Sequence, residues 1–246
     1  MRDKKIWIFN AGNAFDGNPK WLFMYIVNYR KDITPYWFCY TEETRNYIRK
    51  LGYQAFLFKS KMAEKIGSQA GVYVVNQKKE VFQDYLKGIT VLNLWHGVGC
   101  KTVEKGVTYG FLNERIIKKH IINMDCYQNY QLFLVTSPLM EKHFIKQCDL
   151  AEDKIIRAGY PCCFYPGKIK TYDHDILKQK KLPEDTKIAV YAPTYRDASA
   201  TNFFSQAIPD MEKLVDVLEK NNFLLIFKMH PLMANDFQYQ NIKKIY

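Results

Sequence analysis

Several familiar signatures are missing from this chain, and each absence narrows its chemistry. The six cysteines, at 39, 100, 126, 148, 162 and 163, show no CxxC spacing, so neither a zinc site nor a disulfide framework is signalled and a reducing, cytoplasmic setting is expected. No His/Asp/Glu cluster has metal-ligand spacing, and neither a metal nor another cofactor is expected. The glycine loop after the first strand is not GxGxxG, so the dinucleotide fingerprint is absent. Met1-Arg2-Asp3-Lys4-Lys5 followed by only four apolar residues is too short for a signal peptide or a membrane span, and any membrane contact is expected to be peripheral. Acidic residues are the scarcer charge, 25 against 36 Lys and Arg, for a net charge of +11. That balance favours an anionic partner, whether nucleic acid, an anionic membrane face or a phosphorylated substrate.

The 246 residues are 48% hydrophobic and 15% aromatic, which describes a globular chain long enough for one large domain or two ordinary ones. Apolar, β-branched and aromatic runs at 5–10, 35–40, 55–58, 71–75, 89–95, 132–135 and 153–158 read as strands. Helical patterns separate them at 20–29, 42–51 and 60–67 and after Thr136-Ser137-Pro138. Asn18 is expected as the N-cap of the first helix, with Pro19 as its first residue. Continuous apolar strands alternating with helices predict a parallel sheet covered on both faces. From 167 to 186 the chain turns polar and lysine-rich. A boundary there separates a domain over 1–167 from a second, at 168–246, in which strands at 187–192 and 223–227 flank a helix at 210–221 and whose sheet is expected to be incomplete within this chain.

Candidate chemistry gathers at strand ends, where ligands bind in open parallel sheets. The run 90–95 stops at His96 and opens into a loop with Gly97 and Gly99, followed by Lys101. A histidine in that place can move a proton near neutral pH, and it can equally be a core histidine capping a strand. The strand, glycine-bearing loop and helix start around Asn18 make a corner suited to an anion or a hydroxyl, or a plain βα turn. Arg115, Lys118 and Lys119 form a basic cluster that reads either as a solvated face or as a phosphate or membrane patch. His143 lies among polar neighbours on its helix and reads as a surface residue. In the second domain Arg196, Lys228 and His230 emerge from one edge of one sheet, and as a group they point to phosphate binding.

Leu94-Trp95-His96-Gly97 with Lys101, then Gly159-Tyr160-Pro161, Tyr191-Ala192-Pro193-Thr194-Tyr195-Arg196-Asp197 and Lys228-Met229-His230-Pro231, in this order and spacing, resemble the CDP-glycerol glycerophosphotransferase family, which builds teichoic acids and related capsular polymers. The opening from Asn10 through Asn18-Pro19-Lys20-Trp21-Leu22-Phe23 is similar too, so the resemblance spans nearly the whole chain. It implies a GT-B-like α/β fold of two Rossmann-type parallel-sheet domains. It implies transfer of glycerol phosphate, or a related polyol phosphate, from a CDP-alcohol donor to a hydroxyl of a lipid-linked or polysaccharide acceptor, with release of CMP at the inner face of the cell membrane. Carried over residue by residue, His96 matches the family's base, His230 is expected to be catalytic too, as a donor toward the leaving phosphate, and Arg196 and Thr194 match groups at the donor, with Lys228 beside them. Gly97, Lys101 and Asn18 fall on the loop and acceptor side. This sequence departs from the family at Val98-Gly99-Cys100, where Thr-Pro-Leu is more frequent, and in stopping soon after its Lys-x-His-Pro element.

Two other readings follow from the same residues. A nucleotide-sugar-dependent glycosyltransferase of this fold would differ only in its donor. A basic nucleic-acid-binding module fits the charge, but the aromatics lie inside apolar strands rather than alternating with Lys and Arg on one face, so no nucleic acid is expected as partner.

Overall fold

The structure is a computed structural model, and it describes residues 1–76, 84–99, 101–108, 113–114, 116–118, 132–167, 176–193 and 206–229. The chain divides into two compact units, Met1–Thr171 and Tyr172–Tyr246.

In the first unit seven strands form one parallel sheet: β1 (Asp3–Phe9), β2 (Thr34–Cys39), β3 (Ala55–Leu57), β4 (Ala70–Val75), β5 (Thr90–Asn93), β6 (Leu132–Val135) and β7 (Ile155–Arg157). Their order is β3-β2-β1-β4-β5-β6-β7, so the winding reverses between β1 and β4. Adjacent residues of a strand face opposite sides of the sheet, and here both sides are covered. Ile8, Phe38, Tyr73 and Phe133 enter one core, while Phe9, Trp37, Val74 and Leu134 enter the other. That double burial is why the strands read as unbroken apolar runs. The covering helices are α1 (Gly17–Tyr29), α2 (Glu42–Lys50), α3 (Lys61–Gln69), α4 (Pro138–Cys148) and the short α5 (Pro161–Phe164). Thr41, Ser60 and Ser137 cap α2, α3 and α4 by accepting the backbone N–H of Thr44, Ala63 and Met140.

Helix α1 departs from expectation. Its N-cap is Asp16, without a side-chain capping bond, and Asn18 sits inside the first turn. The Asn18 amide bonds elsewhere, so a tertiary contact has displaced the local cap. Phe23, Met24 and Ile26 are buried, whereas Tyr25, Asn28 and Tyr29 are exposed.

In the second unit the described residues form α6 (Ile176–Lys180), β8 (Lys187–Tyr191), α7 (Met211–Lys220) and β9 (Phe223–Phe227), with β8 and β9 paired in parallel from Lys187 opposite Phe223 to Tyr191 opposite Phe227. Asp210 caps α7 through the Lys213 N–H at 2.8 Å. Ile188 and Val190 on β8 remain exposed.

Candidate active site

The carboxyl ends of β1, β4 and β5 meet the start of α1 on one rim of the first sheet, at and beside the reversal in strand order, where open sheets bind ligands. Four buried asparagines, Asn10, Asn18, Asn76 and Asn93, lie at this rim. Asn10 closes β1: its Nδ2 donates to the Phe38 carbonyl at 2.8 Å, and its Oδ1 accepts the Gly12 N–H at 2.9 Å. Asn93 ends β5, and its Oδ1 accepts the Trp95 N–H at 2.9 Å. Asn18 reaches across from α1, with Nδ2 2.9 Å from the Trp95 carbonyl and 3.4 Å from that of Leu94.

β5 was expected to run through Trp95, but its ladder ends sooner. Leu94 still donates to the Val75 carbonyl at 2.9 Å, after which Trp95 turns left-handed with φ +52°. Such a backbone is uncommon for a bulky residue and marks a position over-determined by its surroundings. The turn buries the Trp95 ring against Phe133 and Phe144 and aims His96 outward. The imidazole stacks on the Trp95 ring with centroids 4.4 Å apart and planes 24° apart. Its outer face is open to solvent, yet the protein packed around its inner side desolvates the ring and lowers its pKa below the usual histidine value. Gly97 follows at φ +153°, a conformation other residues rarely adopt. Its carbonyl accepts the Tyr160 hydroxyl at 2.8 Å.

Beyond Gly97 the loop is fastened to α4. Gln147 Oε1 accepts the Val103 N–H while its Nε2 meets His143 Nδ1 at 3.2 Å, and Lys105 pairs with Asp149. A Cβ at Gly99 would lie 3.0 Å from His143 Nε2, so that glycine lets the helix approach. His143, expected at the surface, is half-buried against this loop, and only its distance in sequence hid the contact. Next along the rim, a cavity of about 350 Å³ opens at the ends of β6 and β7, lined by Thr136, Ser137, Glu141, Arg157 and Gly159. Arg157 grips Glu141 there with two hydrogen bonds, and that pairing holds the Glu141 carboxylate below its usual pKa.

Of the residues singled out in the sequence, His96, Gly97 and Asn18 meet at this rim, and Lys101 is exposed on the same loop. In the second unit Lys228 is exposed just past β9, its N–H on the Tyr191 carbonyl at 2.9 Å. Thr194, Arg196 and His230 lie outside the described residues, as do Arg115 and Lys119 of the basic cluster, whereas Lys118 is exposed. Tyr160 and Asn93 were not singled out as site residues, although Tyr160 stands in the Gly-Tyr-Pro turn. Among the described residues no group of three His, Cys, Asp or Glu could hold a metal ion, and no helix is long and apolar enough to cross a membrane.

The model of the CDP-glycerol:poly(glycerophosphate) glycerophosphotransferase family matches residues 1–245. The chain belongs to this family. Among its relatives, the teichoic acid glycerol-phosphate primase of Bacillus spizizenii is 30% identical over 107 residues, covering 44% of this chain and 27% of the primase. The teichoic acid poly(glycerol phosphate) polymerase of the same organism is 22% identical over 264 residues, covering 99% of this chain and 64% of the polymerase. The chain thus spans less than two thirds of the length of these curated relatives. Among solved structures, the wall teichoic acid polymerase TagF superposes with a TM-score of 0.71 at 20% identity, covering 98% of this chain and 59% of that one. This likeness gives the glycerophosphotransferase-family chain the GT-B-like α/β fold expected from its sequence.

Proposed function

We propose that the chain carries out transfer of glycerol phosphate, or a related polyol phosphate, from a CDP-alcohol to a hydroxyl of a lipid-linked or polysaccharide acceptor in teichoic acid or capsule synthesis. The observation that carries this reading is His96, aimed outward from the end of β5 on its Trp95 platform in a chain of this family. His96 accepts the proton of the acceptor hydroxyl as that oxygen attacks the phosphorus bearing the polyol. The bond from that phosphorus to the bridging oxygen breaks, and CMP leaves with the electron pair. Arg196, Lys228 and His230 meet the charge that collects on the departing phosphate, with Thr194 as a further donor-side group. A TagF histidine-to-asparagine variant has been solved after a soak with CDPG, which supports a cytidine diphosphate donor here.

Nucleotide release from a panel of CDP-glycerol, CDP-ribitol and nucleotide-sugars tests the reading, with CMP expected from a CDP-alcohol and a nucleoside diphosphate from a sugar donor. His96→Ala is expected to lower turnover with the preferred CDP-alcohol by about 10²–10⁴-fold while leaving its affinity nearly unchanged, because general-base catalysis acts in the transition state. Near-normal turnover in that variant removes His96 as the base, and turnover of nucleotide-sugars alone replaces the donor class.

The net charge of +11 supports a second element of the proposal, peripheral attachment to an anionic membrane face, where a lipid-linked acceptor would lie. Each basic residue near such a surface contributes about 1 kcal/mol, so Arg115, Lys118 and Lys119 together suffice for weak attachment. Co-sedimentation with anionic vesicles should fall steeply as salt rises. Equal binding to neutral vesicles would discard the electrostatic account.

A further inference from the structure

The backbone on either side of His96 is held by side chains from distant parts of the chain. Before it, the Trp95 carbonyl accepts Asn18 Nδ2 at 2.9 Å, and after it the Gly97 carbonyl accepts the Tyr160 hydroxyl at 2.8 Å. The two holds are joined, because Asn18 Oδ1 accepts the Cys162 N–H at 3.4 Å, two residues past Tyr160. Asn18 and Tyr160 are 3% and 6% exposed, so these bonds are shielded from water and compete poorly with solvent when broken. The residues they hold both have positive φ, Trp95 at +52°, which is strained for a bulky side chain, and Gly97 at +153°, which only glycine adopts readily. A left-handed backbone is unfavourable for a non-glycine residue, so Trp95 would relax without its partners, and that relaxation would swing the His96 ring off its stack.

We propose that Asn18 and Tyr160 are positioning residues that orient His96 by pinning the carbonyls of Trp95 and Gly97 on either side of it. Ordinary packing of α1 and α5 on the sheet would not require both bonds to fall on the carbonyls flanking one outward-facing histidine. Asn18 therefore acts from beneath the site, with both ends of its amide engaged inside the protein. The proposal rests on the reading of His96 as the base, and it predicts what happens to the ring independently of that reading.

The test uses the whole 246-residue chain. Tyr160→Phe removes one hydroxyl, Asn18→Ala removes the other hold, and Tyr165→Phe serves as a control, since the Tyr165 hydroxyl bonds only Asn28 among the described residues, at 2.9 Å. The His96 ring resonance, assigned by its disappearance in His96→Gln, is followed through a pH titration. In Tyr160→Phe and Asn18→Ala its midpoint should move up toward the ordinary histidine value as the ring leaves its stack, while Tyr165→Phe titrates like the parent. Turnover with CDP-glycerol should fall about 10- to 100-fold in Tyr160→Phe with KM for the donor unchanged, as expected when a reacting group is misplaced by an ångström or less. If Tyr160→Phe lowers the melting temperature but leaves the His96 titration and turnover as in the parent, the residue is structural only and the proposal falls. If the titration moves while the parent chain itself shows no CDP-glycerol turnover, the positioning stands and the transfer reading fails. Should Asn18→Ala not fold, Tyr160→Phe decides alone.

Discussion

An imidazole that is to accept a proton near neutral pH must arrive uncharged, and the burial around the inner face of His96 favours that state. The sign of the resulting pH dependence follows directly. With its pKa below the ordinary 6.5, His96 is neutral throughout the neutral range, so kcat/KM should be flat there and decline only as pH falls below 6.5. A decline that already sets in above 7 would mean that the ring is solvated or that another group limits the rate. Stability follows the same direction. The unfolded chain takes up this proton more readily, so the group contributes nothing above its ordinary pKa and destabilises the fold as pH drops below it. At this scale the histidine and its following glycine were legible, because an apolar run breaking at His-Gly is a local pattern. The roles of Asn18 and Tyr160 were not, since their bonds span 77 and 63 residues and leave no periodic trace.

Helix α4 shows what an element adds to a site it does not itself carry. Thr136-Ser137-Pro138 announces its start in the sequence, and the structure adds a cap at Ser137. What the sequence does not display is that the His143–Gln147 edge packs on the loop leaving His96, made possible by small residues at 99 and 106. A Cβ at Gly106 would lie 2.5 Å from Gln147 Oε1. Gln147→Ala is expected to cost about 1–3 kcal/mol by leaving the Val103 N–H without its acceptor. Hydrogen exchange over 101–107 should quicken more than over β5, and unchanged protection there would mean the loop is held by other contacts. Helix α1 teaches the converse: a good local cap at Asn18 yielded to a buried tertiary bond, and the predicted helix start moved with it. Strand order lay beyond reach, because unbroken apolar strands specify two covered faces without saying which strand lies beside which.

Taken as a whole, the two units are built to different depths. The first buries large side chains such as Trp37, Phe38, Phe133 and Phe144 completely on the two faces of seven strands. In the second, β8 leaves Ile188 and Val190 about half exposed, and none of the described hydrophobic side chains is fully buried. Native-state hydrogen exchange should therefore be slow in β1 and β4 and markedly faster in β8 and β9. Equal protection of both sheets would show that the second is as firmly packed as the first. The strand order of the first sheet has a further consequence, for the way the chain is made. β1 precedes the other six strands of its sheet in the chain, yet it lies inside the sheet, between β2 and β4. One of its edges must wait for residues 70–75 to be synthesised, a gap of some sixty residues that no hairpin can shorten. Until then the nascent chain carries an open strand edge beside the apolar Ile6–Phe9 half of β1, which would need protection during synthesis.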